Sequence, residues 1–491
     1  MSGPSRAAEQ TRTEGAAPHP PQGDTPPALM AQLFADQRHA SRHKPPPPAE
    51  ARRQALSALE TMVRSHLSEI AQAISQDFGG RAVAETELLE AVPLLGAVRH
   101  ARRHLARWMR PERRLVAWQF LPSRAYVRHE PLGVVGILSP WNYPLLLTLS
   151  PLVDALAAGN RALLKPSELT PRFSALLARL VSEAFPADRV AVVTGGMEVA
   201  AAFCALPFDH IVFTGSGAVA RKVLAAAAPN LTPVTLELGG KSPAIVCPDY
   251  SLAAAARSIA LGKFLNAGQT CVAPDYVLVP HDKTEELAEA ILAEVRRAWP
   301  AIKDNTDYTA VMEQRHFQRF AAAVEKARAG GARTFVHGIE GERGRFPPTI
   351  VLDAPPDSVL LREEIFGPVL PIVPYQNLDD ALAFIVARER PLALYCFTHD
   401  RAMREKLLDG ATSGGVTVNG TLLHVAHEGL PFGGIGPSGM GAYHGRDGFL
   451  RLSHARAVHV AGPVNVLEWL GPPYGRFARF VADLMIGRRK G

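Results

Sequence analysis

The chain has 491 residues, 47% hydrophobic and 20% charged, with a formal charge of +6; the length predicts two or three domains, and the composition excludes a chain disordered throughout. Its four cysteines, Cys204, Cys247, Cys271 and Cys396, are widely spaced with no CxxC, which argues against a disulfide framework or a zinc site and for a reducing compartment. No secretory leader and no run of about 18 apolar residues occurs, so the expected location is cytoplasmic with no transmembrane segment.

Residues 1–46 are rich in Pro, Ala, Gln and Arg and lead into four consecutive prolines at 45–48; lacking apolar periodicity, they predict an unstructured tail. From 49 to 78, Leu56, Leu59, Met62, Val63, Leu67, Ile70 and Ile74 recur at helical spacing before Gly79 and Gly80, and a second helical stretch covers about 84–110. The basic run from Arg99 to Arg114 is interspersed with apolar Leu105 and Trp108, which reads as a solvated helix face rather than a nucleic-acid site. Two β-rich runs around residues 121–124 predict a hairpin over 114–130, an edge suited to pairing with another subunit.

Short apolar runs then alternate with helical stretches. Strands are expected at 133–138, 161–165, 190–193 and 210–214, with helices at 170–185 and 218–228; this is the pattern of a parallel sheet covered on both faces. A second series follows residue 240, with strands at 244–246, 276–279, 334–336 and 393–397. The expected division is a first lobe over 47–237, a second over 238–425, a return to the first lobe with a strand near 455–461 over 426–462, and a basic amphipathic helix over 463–491. Residues 429–448 are glycine-rich yet too apolar for a linker, and are expected to pack near the site.

Gly215-Ser216-Gly217-Ala218-Val219-Ala220 follows a predicted strand and opens a helix, the context in which glycines let backbone N–H groups approach a pyrophosphate. A merely tight strand-to-helix turn would look the same. The acid expected about 20 residues later on a ribose would be Glu237.

The rest of the chain gives Glu237 another part. Glu237-Leu238-Gly239-Gly240-Lys241-Ser242-Pro243 and Gly268-Gln269-Thr270-Cys271, with Pro140-Trp141-Asn142-Tyr143-Pro144, Lys165-Pro166-Ser167-Glu168, Glu363-Glu364-Ile365-Phe366-Gly367-Pro368 and Pro431-Phe432-Gly433-Gly434, resemble the aldehyde dehydrogenase superfamily. These blocks keep family order over about residues 50–460. Cys271-Val272-Ala273-Pro274-Asp275-Tyr276 and Gly439-Met440-Gly441-Ala442-Tyr443-His444-Gly445 are similar to its class 3 branch, and to the bacterial coniferyl aldehyde dehydrogenases within it. One departure lies in the phosphate turn, where the branch commonly has a small polar residue at 217 and glycine at 220, against Gly217 and Ala220 here.

The resemblance implies an α/β fold of two Rossmann-like lobes with parallel sheets and a small β oligomerisation element, and a homodimer. It implies oxidation of an aldehyde, aromatic or cinnamyl-type such as coniferyl aldehyde, to the acid, with medium- or long-chain aliphatic aldehydes as the alternative. Chemistry explains the residue types: an aldehyde carbon gives up hydride only after a nucleophile adds to it, and a thiolate needs activation at neutral pH. Cys271 would be that nucleophile, forming a thiohemiacetal and then a thioester; Glu237 would activate water, and Asn142 with the Cys271 N–H would hold the oxyanion. For the cofactor the resemblance implies Trp141, Lys165, Glu168, Gly215, Ser216, Gly217, Val219, Leu238, Glu364 and Phe366. A Glu168 carboxylate at the ribose favours NAD and leaves NADP open. No metal is implied. The rival readings are a silent nucleotide-binding protein, a polyanion binder, and an enzyme passing the thioester to another acceptor. The C-terminal helix reads as a cover for the substrate entrance or a subunit surface, with peripheral membrane contact as the alternative.

Overall fold

The structure is a computed structural model that describes residues 23–338, 344–463, 465, 468 and 470–488. A six-stranded sheet carries, in spatial order, Gly439–Met440, Val234–Glu237, His210–Thr214, Val134–Leu138, Arg161–Lys165 and Val190–Val192. All neighbours are parallel except the first pair. Its central strands are apolar without alternation because helices cover both faces, and Val134, Val135, Leu163 and Ile211 are fully enclosed.

The second lobe is a seven-stranded sheet in the order Arg333–Val336, Thr349–Leu352, Val369–Tyr375, Tyr276–Pro280, Pro243–Val246, Ala393–Phe397 and Gly415–Val418, with only the first pair antiparallel. Three of these strands escape sequence reading for local reasons. Val369–Tyr375 contains Pro371 and Pro374, and Gly415–Val418 opens on a glycine directly after Gly414, both features that normally argue against a strand. Thr349–Leu352 is only four residues long and follows two prolines.

A third, antiparallel sheet joins Glu112–Arg114, Arg124–Pro131 and Ser453–Val460. The hairpin is therefore present but shifted. Glu112 pairs with Val127 and Arg114 with Ala125, so the first strand ends before the apolar run expected to form it. That run becomes a loop with a short 3-10 turn at Trp118–Phe120, leaving Leu115 and Trp118 exposed.

Three further expectations are corrected. The stretch 49–78 is two helices, Ala49–Ser65 and Leu67–Asp77, broken at His66. The next stretch runs Val83–Thr86, Glu87–Ala91 and Val92–Trp108, with a π-turn in the middle; Pro93 has no N–H to offer the Leu89 carbonyl, which loosens the winding there. The tail expected to reach residue 46 instead carries the helix Pro27–His43. Its buried face is Met30, Phe34, Gln37 and Ala40, a 3–4 spacing masked by the flanking prolines. Phe34 meets Phe208 edge-on at 5.1 Å, and Gln37 donates to the Ala162 carbonyl at 3.0 Å. Residues 1–22 lie outside the described residues, as do Trp469 and residues 489–491 of the C-terminal segment; within that segment a helix spans Arg476–Ile486. No described helix is long and apolar enough to cross a membrane.

Candidate active site

Cys271 follows a kinked turn at Leu265–Gly268 in which Asn266 and Ala267 both take positive φ. Hydrogen bonds hold that unfavourable backbone. Gln269 donates to the carbonyls of Asn266 at 2.9 Å and Ala310 at 3.1 Å, and accepts from the Met312 N–H at 2.9 Å. Glu85 accepts from the Asn266 N–H at 3.0 Å and the Thr309 hydroxyl at 2.5 Å. Gly268, at φ +72°, approaches Gly367 so closely that a β-carbon would lie 2.4 Å from the Gly367 oxygen. Glycine at 268 thus lets the Cys271 turn press against the loop holding Glu364 and Phe366.

Asn142 stands just before the helix Pro144–Ala158. Its Nδ2 donates to the Gln269 carbonyl at 3.2 Å, which spends one amide hydrogen and leaves the other available. The Arg81 guanidinium locks this corner from behind: it is buried, donates to Glu90 at 2.7 Å and to the Asn142 carbonyl at 3.3 Å, and lies over the Tyr143 ring. Glu90 in turn accepts from the N–H groups of Leu145 and Leu146, the first turn of the Asn142 helix.

Glu237 ends its strand in register with Gly439, and the Leu238 N–H donates to the Ser438 carbonyl at 3.1 Å. Residues 429–448 thus pack beside the site. The Glu237 carboxyl is buried with neither oxygen hydrogen-bonded among the described residues. Burial pushes its pKa well above the usual carboxylate range. Burial, then the Glu237 and Glu364 carboxylates, likewise push the Cys271 thiol up.

A cavity of about 290 Å³ is lined by Cys271, Glu237, Asn142, Trp141, Leu238, Gly215, Ser216, Glu364 and Phe366. Nine of the thirteen sequence-predicted residues therefore share one space, with walls from both lobes. Glu168 lines a neighbouring cavity with Gly195 and Gly196, and its carboxylate lies 3.6 Å from the buried Lys165 ammonium. Gly217 and Val219 open the helix Gly217–Ala227, where Ser216 accepts from the Val219 N–H at 3.4 Å.

The sequence reading missed His316 and Arg319, which also line the 290 Å³ cavity from the helix Gln314–Ala329. Arg319 donates to the Glu364 carbonyl at 3.2 Å and the Ile365 carbonyl at 2.5 Å. It missed the clamp behind that loop too: Asp275 accepts from Lys241 at 2.5 Å and from the Ile365 N–H at 3.1 Å. Burial and Asp275 lift the Glu364 carboxyl to about 8. Lys241 and Asp275 sit inside the recognised motifs, but nothing in their spacing says that they meet.

Paired doubly wound lobes with a cysteine in the cleft between them define an oxidoreductase of the aldehyde dehydrogenase type. The sequence profile of the aldehyde dehydrogenase family matches residues 32–458, and the chain belongs to that family. It is 48% identical over 447 residues to the probable coniferyl aldehyde dehydrogenase of Pseudomonas aeruginosa, covering 91% of this chain and 94% of that one. Its fold is similar to that of substrate-bound Staphylococcus aureus AldH, with a TM-score of 0.87, 36% identity, and coverage of 93% and 99%. It is also similar to a Mycobacterium tuberculosis aldehyde dehydrogenase complexed with NAD+, with a TM-score of 0.80, 30% identity, and coverage of 89% and 90%. The expected fold and enzyme class are borne out.

Proposed function

We propose that this enzyme oxidises aromatic, cinnamyl-type aldehydes such as coniferyl aldehyde to their acids, with NAD as the preferred acceptor. The observation that carries the mechanism is the convergence of Cys271, Glu237 and Asn142 on one cavity. The aromatic substrate rests on the likeness to a protein named for coniferyl aldehyde and on the Trp141, Leu147 and Phe366 walls.

The Cys271 sulfur adds to the aldehyde carbon, and the oxyanion formed is held by the free Asn142 amide hydrogen with the Cys271 N–H. Glu237 then takes a proton from water as the water attacks the thioester, a role suited to a buried carboxyl of raised pKa. The residues present fit a dinucleotide: beyond its own turn of helix, the nearest atom to a β-carbon on Gly217 is in the Arg221 guanidinium at 3.9 Å, leaving the helix N-terminus open, and Lys165 with Glu168 supplies donor and acceptor for a ribose. When bound, NAD supplies the hydride acceptor, its nicotinamide end bordered by Glu364 and Phe366.

The chain acts as a homodimer through the three-stranded sheet and its exposed Leu115, Trp118 and Leu121. Light scattering of the purified chain at twice the monomer mass is the expected result. The function is tested with a panel of cinnamyl, benzyl and aliphatic aldehydes, each assayed with NAD and NADP. Faster turnover of aliphatic than of cinnamyl substrates would overturn the substrate assignment.

A further inference from the structure

The segment before the first helix is tied to the edge of the first lobe. The Thr25 N–H donates to the Thr194 carbonyl at 2.8 Å, the Thr194 N–H to the Thr25 hydroxyl at 2.9 Å, and the Thr194 hydroxyl to the Gly23 carbonyl at 2.9 Å. The Gly196 N–H donates to the Asp24 carboxylate at 3.3 Å. A β-carbon on Gly195 would lie 3.0 Å from the same carboxylate oxygen. Residues 23–25 therefore form a strap, of which Gly23 and Asp24 line a cavity of about 720 Å³ whose lining also includes Ser167, Glu168, Thr194, Gly195 and Gly196. The strap precedes residue 32, where the family profile begins to match.

The charges in this cavity are unbalanced. Its lining carries three carboxylates, Asp24, Glu69 and Glu168, against one guanidinium, Arg179. Arg179 is already engaged by Glu69 at 2.7 Å and Glu183 at 3.1 Å. The nearby Lys165 ammonium is buried and lies 3.6 Å from Glu168; burial lowers its pKa, and the fields of Glu168 and Asp24 both oppose that shift. Among the described residues, no cation in the cavity is left free of a carboxylate to receive an additional phosphate.

We propose that Asp24, held in place by the strap, is a cofactor-specificity residue that sets a second carboxylate beside Glu168 and disfavours a 2′-phosphorylated adenosine. The proposal rests on the reading of this cavity as the adenosine end of the dinucleotide site. It makes the preference for NAD depend on a segment outside the family-matched region. A phosphate dianion brought near an added carboxylate is repelled, whereas a neutral 2′-hydroxyl is not.

The test is calorimetric binding of NAD and of NADP to the full chain and to two variants. Asp24→Asn keeps an oxygen for the Gly196 N–H and removes the charge; Asp24→Glu keeps the charge. The ratio of the NADP to the NAD dissociation constant should fall on the order of tenfold in Asp24→Asn. The fall should shrink as salt is raised, and Asp24→Glu should stay near the parent ratio. An Asp24→Asn ratio within about twofold of the parent would overturn the proposal, because one carboxylate beside a phosphate is expected to exceed that. So would equal shifts in both variants, which would mark Asp24 as an anchor for the strap alone. If the parent binds neither nucleotide, this inference and the proposed function fall together. If it binds NAD but oxidises no aldehyde, only the proposed function falls.

Discussion

The turn carrying Cys271 and the C-terminal helix Arg476–Ile486 are opposite solutions to the same problem of placing side chains. Around Cys271 an unfavourable backbone is held by buried hydrogen bonds donated by Gln269 and Asn142 and accepted by Glu85. Along the helix no residue is buried, and Phe477, Phe480, Leu484 and Ile486 are each more than half exposed. In the first region, function and stability depend on the same atoms. In the second, the monomer's stability owes little to the side chains, and their apolar face is free for a partner.

Four changes test that contrast, beginning with the largest effect. Cys271→Ala should lower aldehyde-dependent NADH formation by about 10⁴-fold or more while nucleotide binding persists, as measured by turnover and calorimetry. Substantial turnover in the variant would remove the nucleophile. Glu237→Gln should lower steady-state turnover by about 10²–10⁴-fold. The parent should also gain activity as pH rises beyond the usual carboxylate range, since burial disfavours the ionised form of Glu237 that acts as the base. Because ionisation of the Cys271 thiol also rises with pH, the deciding result is the rate itself: a Gln variant turning over about as fast as the parent would assign the base elsewhere.

Arg81→Met leaves Glu90 buried without its cation. Stability to denaturant should fall by about 3–5 kcal/mol, although Arg81 lines no part of the Cys271 cavity. The smallest effect is expected on the exposed helix: Phe480→Asp should change the stability of dilute monomer by no more than about 0.5 kcal/mol. A large loss would mean that the helix is held in place by contacts within the chain.

How much of this was legible follows from the same contrast. Four of the six strands of the first sheet could be read from their apolar runs because burial on both faces leaves a continuous signal, as in Val134–Leu138 and His210–Thr214, whereas Val234–Glu237 and the two-residue Gly439–Met440 were not. Cys271, Glu237 and Asn142 stood out because the motifs around them resemble those of a known family. The helix Pro27–His43 was hidden by its prolines, and Val369–Tyr375 by Pro371 and Pro374. His316 and Arg319 were invisible for another reason: they reach the cavity from a helix whose sequence is otherwise that of an ordinary amphipathic surface element. Tertiary approach, not local pattern, brings them there.

The pairing of Gly439–Met440 with the strand that ends at Glu237 joins positions about two hundred residues apart in the chain. During synthesis, both lobes' sheets can be complete in all their other strands before this short edge emerges. Until it does, the backbone beside Glu237 faces solvent and the Leu238 N–H has no Ser438 carbonyl to meet. A ribosome-bound chain not yet extended past Met440 would thus carry its thiol while lacking the edge that borders Glu237. The wall beside Glu237 is closed only once residues some two hundred positions downstream have joined it.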